Sequence, residues 1–280
     1  ATRQNMDRDV VVHGGGSGRG SAAALLDYFE DIWALDTNRE FRANGEAGRV
    51  LRAAAALRER WAAITGAGRV TPIDWDAETI QAGGVTVLHG DCAARNKEPV
   101  LLNTLTALMQ GGRERIVVQT PYIICNRAMY DALEKAGGAA QVQIITNAPQ
   151  RGANPWGCAD YLNQKKAILS TGVSVCEWHG ERSMHTKTIQ IDDRFSIIGS
   201  FNWDMRSAYL DTELMLLVDC PELNAALRAE TGEMVRQGRL LLPDGTAVEG
   251  AAYTAPEMPL YKQLLQPVLR VVIRPFRYVL

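Results

Sequence analysis

The sequence lacks any ready framework of disulfides or metal ligands. Its five cysteines, Cys92, Cys125, Cys158, Cys176 and Cys220, are odd in number and widely spaced, with no C-x-x-C pair. That excludes the usual zinc spacings and points to reduced, mostly buried thiols in a reducing compartment. Long hydrophobic runs are missing too: nothing approaches the ~18 consecutive apolar residues of a spanning helix. Neither sign of charge dominates, because 30 Lys and Arg face 32 Asp and Glu, for a net charge of −2. No global field would therefore draw nucleic acid. The glycine-rich stretch HGGGSGRGS at residues 13–21 has no G-x-G-x-x-G in any register and no P-loop lysine. It reads as a surface loop rather than a phosphate cradle. The chain opens on Ala, which fits a processed product or a piece of something longer.

What the sequence does contain is an alternation of short apolar runs and helical patterns. Asp9–Val12 (DVVV) reads as a strand, and Ser21–Trp33 as a helix with Leu25, Phe29, Ile32 and Trp33 on one face. Residues 37–84 are rich in Ala and Arg, with a helical segment over Glu46–Thr65, and read as a connector. From Val85 the strands are 85–89, 115–119, 142–146, 173–177, 187–192, 195–199 and 213–218. Helices fit near 98–110, 126–136, 157–171 and 221–236. Strands interleaved with helices of this length predict an α/β protein, with a mostly parallel or mixed sheet covered by helices on both faces. Asp192-Asp193-Arg194, between two apolar runs, predicts a hairpin turn.

The chemistry concentrates in MHTKTIQIDDRFSIIGSFNWDMRS, residues 184–207. His185, Lys187 and Asp192 fit H-x-K-x-x-x-x-D, and Gly199, Ser200 and Asn202 follow as G-S-x-N. In a strand, His185 and Lys187 would project to one side, and the returning strand would carry Ser200 and Asn202 back towards them. An imidazole, a fixed ammonium and a carboxamide converging on one point suit a phosphodiester. Lys187 and Asn202 can hold the non-bridging oxygens, and His185 can attack phosphorus or deliver a proton. The lysine supplies the positive charge, so neither metal nor other cofactor is called for.

This constellation resembles the phospholipase D superfamily, whose signature is the HKD motif followed by G-S-x-N. GSFNWDMRS and the later DTE at Asp211–Glu213 look most like bacterial cardiolipin synthases, with Asp211 in place of the usual Asn. VVQTPYI at 117–123 resembles the opening of the second half of those enzymes, and the likeness covers most of residues 85–220. The resemblance implies a phospholipase D-like α/β sandwich and active-site roles for His185, Lys187, Ser200 and Asn202, with Asp192 bracing the motif. It implies phosphatidyl transfer through a phosphohistidine intermediate, with phosphatidylglycerol-like phospholipids as substrates and no nucleic acid. A phospholipase D or nuclease of the same superfamily, and a catalytically silent membrane-associated module, are the alternatives.

Family enzymes carry two such motifs, and this chain has one. His13, His89 and His179 lack a lysine two residues on. DRDVVV at 7–12 and the helix after it parallel DTELMLLVD at 211–219 and the helix after that, which places Asp9 opposite Glu213. Residues 1–36 thus read as the tail of a first half, 37–84 as the connector, 85–258 as the second domain and 259–280 as a tail. The missing half would come from the same protein or from a homodimer partner. The resemblance implies that Asp9 orients His185 and that Glu213 orients the absent histidine. In the tail, a helix would put Leu265, Val268, Leu269, Val272 and Phe276 on one face and Arg270, Arg274 and Arg277 on another. That pattern suits anionic lipid on the cytoplasmic side of a membrane, as a peripheral contact.

Overall fold

The computed structural model describes residues 5–14, 20–40, 47–68, 72–93, 97–255 and 257–280. The glycine loop over 15–19 and Glu46 lie outside them. The chain runs through α1 (Ser21–Trp33), α2 (Ala47–Gly66), α3 (Trp75–Glu78), β1 (Gly84–His89), α4 (Val100–Gln110) and β2 (Arg115–Gln119). It continues with α5 (Arg127–Ala139), β3 (Gln141–Asn147), α6 (Pro155–Leu169), β4 (Ser174–Trp178), β5 (Thr188–Ile191) and β6 (Phe195–Gly199). After α7 (Met205–Tyr209) come β7 (Leu214–Asp219), α8 (Pro221–Arg236), β8 (Gly238–Leu241), β9 (Ala247–Glu249) and α9 (Leu260–Val272). A 3-10 turn over Arg274–Val279 follows.

The nine strands form one mixed sheet in the order β1-β7-β6-β5-β2-β3-β4-β8-β9. Only the β2–β3 and β3–β4 pairs are parallel; the remaining pairs are antiparallel. The parallel strands are buried on both faces, which is why Ile116-Val117-Val118 in β2 and Ile144-Ile145 in β3 are apolar at consecutive positions rather than alternating. Ile116, Val118 and Ile144 face a core with Leu105, Met129, Leu133 and Ile168 of α4, α5 and α6. Their neighbours Val117 and Ile145 face the other way, against Met234 of α8, Trp178 and Met184. Helices therefore cover both sides.

The helices begin where the chain supplies caps. Asn126 accepts from Met129 N at 3.0 Å to start α5, and Asn154 accepts from Trp156 N and Gly157 N at 3.1 Å to start α6. Proline at the first position opens α6 and α8, where its missing N–H costs nothing.

One expectation about the fold fails. Residues 9–12 form no strand, and Val11 and Val12 are exposed, with no neighbouring strand to pair with among the described residues. The tail packs on α6, which engages two of its arginines. Arg277 makes a two-pronged pair with the fully buried Asp160 at 2.7 and 2.9 Å. Arg270 exchanges bonds with Asn163 at 3.0 and 2.8 Å. A guanidinium finds stronger partners in a buried carboxylate than in water.

Candidate active site

The motif is carried by the β5–β6 hairpin and the turn after it. Asp192 sits at the hairpin tip with φ of 50°, a backbone shape that Asp tolerates better than most residues. Its carboxylate accepts from the backbone N–H groups of Arg113, Glu114 and Arg115 at 3.1, 2.9 and 3.0 Å. Partial burial pushes its carboxyl up, but these N–H groups and the Arg115 charge outweigh it and hold it below the ordinary value. Asp192 wires the hairpin to the start of β2, at the opposite end from His185.

Gly199 ends β6 because nothing larger fits. A Cβ there would lie 2.2 Å from Leu214 O. The close approach brings Ser200 against β7, where Leu214 N donates to Ser200 Oγ at 3.0 Å. Ser200 Oγ donates in turn to Glu213 Oε2. Ser207 Oγ donates to Glu213 Oε1 at 2.6 Å and accepts from Asn202 N at 3.2 Å. Glu213 is buried, which pushes its carboxyl up; the two serine hydroxyls oppose the shift without cancelling it. Asp204 is buried beside it and caps α7 by accepting from Ser207 N at 2.7 Å. Burial raises the Asp204 carboxyl to about 6, against the pull of those Ser207 bonds.

His185 and Lys187 lie in the extended segment before β5, and they do not share one exposed side. The His185 side chain is 47% exposed, whereas Lys187 is buried. The ammonium turns back and donates to His185 O at 2.6 Å. Burial lowers the Lys187 pKa, and the charges of Asp7, Glu213 and Asp204 work against that. The Asn202 side-chain oxygen is buried without a partner among the described residues.

The acid on His185 is Asp7, not Asp9. His185 Nδ1 and Asp7 Oδ1 are 2.7 Å apart. Met6 pairs in parallel with Met184, through Met6 N to Ser183 O at 2.9 Å and His185 N to Met6 O at 2.8 Å. That register delivers Asp7 to the ring and turns Arg8 inward, where it donates to Thr188 Oγ1 at 2.6 Å and to Gln119 and pairs with Glu230 at 2.7 Å. Asp9 instead lines a separate groove of about 650 Å³ with Val10, His13 and Trp75. Beside His185 a cavity of about 230 Å³ is lined by Asn5, Tyr122, Asn154 and Ser183, among others.

The other three histidines are engaged elsewhere. His13 pairs with Asp76, His89 stacks on Tyr28, and His179 packs edge-on to Tyr253. Sequence reasoning missed Asp7, Arg8, Asp204 and Ser207. The last two stand inside GSFNWDMRS and were legible as part of that motif. Asp7 and Arg8 carry no local signal, since their positions depend on a pairing with residues some 180 positions away.

Residues 105–235 match the family described as cardiolipin synthase, PLD-like domain. The chain is 25% identical over 197 residues to cardiolipin synthase A of Salmonella arizonae, an alignment covering 63% of this chain and 39% of that protein. It thus spans about two fifths of the curated relatives that it matches. Among solved structures it is similar to a phosphatidylserine synthase from Haemophilus influenzae, with 18% identity and a TM-score of 0.50 over 70% of this chain and 48% of that one. It is also similar to Nuc, a phospholipase D family member from Salmonella typhimurium, with 18% identity and a TM-score of 0.47 over 56% and 99% of the two chains.

Proposed function

We propose that this chain, which belongs to the phospholipase D superfamily and is similar to cardiolipin synthases, contributes one side of a phosphatidyl-transfer site. The substrate would be a phospholipid phosphodiester such as phosphatidylglycerol, met at the cytoplasmic face of a membrane. One histidine attacks phosphorus; a P–N bond forms as the P–O bond to the leaving alcohol breaks. The other histidine gives that alcohol its proton. It then takes a proton from an incoming hydroxyl, which attacks phosphorus and breaks the P–N bond. The phosphatidyl group ends on the second alcohol, and the enzyme is restored.

The observation that carries this reading is the pairing at His185. A carboxylate on Nδ1 fixes the tautomer and the ring's orientation, which leaves Nε2 as the nitrogen that gives and takes the proton. We therefore assign His185 the acid–base role. Lys187 and Asn202 would offset charge on the non-bridging oxygens. Glu213 is held ready by two serines and would serve the second histidine, and Asp192 braces. The sequence contains no other histidine placed to be the nucleophile, so a second polypeptide segment must provide it, either from the same protein or from a second copy. Water as acceptor would turn the same residues to hydrolysis.

The test is an assay of lipid products from phosphatidylglycerol by the protein expressed from its whole coding region, wild type and His185→Ala. A diphosphatidyl product with release of glycerol is expected, and a fall of roughly 10²–10⁴-fold in the variant. Phosphatidic acid alone would identify a hydrolase. Unchanged turnover in His185→Ala would remove the mechanism.

A further inference from the structure

No helix of the described residues is long and apolar enough to cross a membrane. The tail, however, carries an exposed apolar face. Leu269 and Ile273 are the residues that α9 and its end bury, at 7% and 4% exposure, and Arg270 and Arg277 are engaged with α6. What α9 and the 3-10 turn leave outside is apolar. Leu260 and Leu264 are 76% and 77% exposed, and Val268, Val271, Phe276 and Val279 are each at least half exposed. An apolar face of this extent on a folded domain marks an interaction surface.

We propose that this face is a lipid-docking surface, laid on an anionic bilayer with its apolar side chains in the headgroup–acyl boundary. The inference deepens the phosphatidyl-transfer reading and rests on it for its purpose, though not for its evidence. Charge complementarity selects the occupant. Residues 259–280 hold Lys262, Arg270, Arg274 and Arg277 and no Asp or Glu. Arg277 is paired with Asp160, but Arg270 and Lys262 bond to amide and backbone oxygens rather than carboxylates, and Arg274 is exposed. An apolar face edged by cations is the make-up of interfacial helices. Two copies packed through the same face would bring these cations together with no carboxylate in the segment to offset them.

The helix is also tied to the candidate site. Lys262 Nζ donates to Gln150 O at 2.9 Å and to Gly152 O at 3.1 Å, and Gly152 lines the cavity beside His185. A bilayer under α9 therefore lies next to the loop that walls that cavity.

The test uses the intact chain with vesicles of phosphatidylcholine alone or mixed with phosphatidylglycerol. Cosedimentation with the mixed vesicles is expected, falling at least about ten-fold in a Leu264→Glu, Val268→Glu double variant. Arg274→Ser should lower binding roughly five-fold. Hydrogen exchange in wild type supplies a second measurement that needs no variant: amides of 260–279 should slow on mixed vesicles. The proposal is overturned if the double variant binds as wild type does. It is equally overturned if the slowing appears with protein concentration in the absence of vesicles, which would make the face a contact between copies. Transfer assayed on detergent-dispersed lipid reports on the active site alone and should be unchanged in the double variant, so the two readings fail separately.

Discussion

Two regions meet at His185, and they are built in opposite ways. On one side, β5, β6 and β7 are interior strands of the sheet, and the groups at their ends and on α7 between them (Lys187, Ser200, Ser207 and Glu213) are linked to one another or to backbone by short bonds. On the other side, residues 5–8 join the domain through one β-bridge and the Arg8 side chain, and residues 9–13 and most of α1 lie exposed. The cation and hydroxyls are thus preorganised by a core, whereas the carboxylate on the imidazole arrives on a thinly held segment. Charge stabilisation needs groups that do not reorganise during the reaction. An acid–base residue needs a partner that sets its tautomer. The division assigns the rate mainly to the hairpin wall and the orientation of the imidazole to the segment.

Breaking the wall should have the largest effect. Lys187→Met keeps the stem and removes the ammonium, and turnover should fall roughly 10²–10³-fold with lipid binding retained. A rate within about three-fold of wild type would reduce the wall to scaffolding. The wall also has a cost in stability. Folding raises the Asp204 carboxyl from 3.8 to about 6, a difference of roughly two units or ~3 kcal/mol. The folded state holds that proton more tightly than the unfolded chain. This contribution is therefore full below pH ~4, is lost between about 4 and 6, and stays lost above. Glu213, also raised by burial, works in the same direction. Asp204→Asn keeps the cap on α7 and cannot ionise. It should match wild type near pH 4, exceed it by up to ~3 kcal/mol at pH 7 in urea unfolding, and flatten the slope between. A pH slope unchanged by the substitution would show that Asp204 is not the titrating group.

Much of the wall was legible in the sequence, for a physical reason. β2 and β6 begin and end where their apolar runs do, and α8 runs from Pro221 to Arg236 as its periodicity and opening proline indicate. Each signal is local and is reinforced by burial on both faces. β8 and β9 went unread because they are only four and three residues long, β9 being an exposed edge strand, and α7 because its one and a half turns carry no periodicity. Within the motif, spacing put His185, Lys187, Ser200 and Asn202 on one hairpin but could not show that Lys187 would be buried and turned back. Asp192 tests how far the pattern H-x-K-x-x-x-x-D should be taken as chemistry. Its three backbone bonds predict that Asp192→Ala costs ~2 kcal/mol of stability. Turnover per folded molecule should stay unchanged, and a loss of rate without loss of stability would return Asp192 to the chemistry.

The segment side should respond more mildly, and in a different observable. Asp7 is over half exposed, so its hold on the ring depends on what fixes the backbone on either side of it. Arg8 does that, because its planar fork reaches Thr188, Gln119 and Glu230 together, on two strands and a helix. A lysine at position 8 keeps the charge but cannot span the three. Arg8→Lys should therefore let Asp7 drift from Nδ1 and lower turnover by about ten-fold or less, the scale of one charge-assisted hydrogen bond. The discriminating readout is the tautomer of the His185 ring, read from its imidazole nitrogen resonances. The Asp7 carboxylate holds the ring proton on Nδ1, so Asp7→Asn, and to a lesser degree Arg8→Lys, should redistribute it between the two nitrogens. If Arg8 only stabilises the fold, Arg8→Lys will lower the melting temperature and leave the tautomer in place. If Asp9 is the working acid after all, Asp9→Asn and not Asp7→Asn will move it.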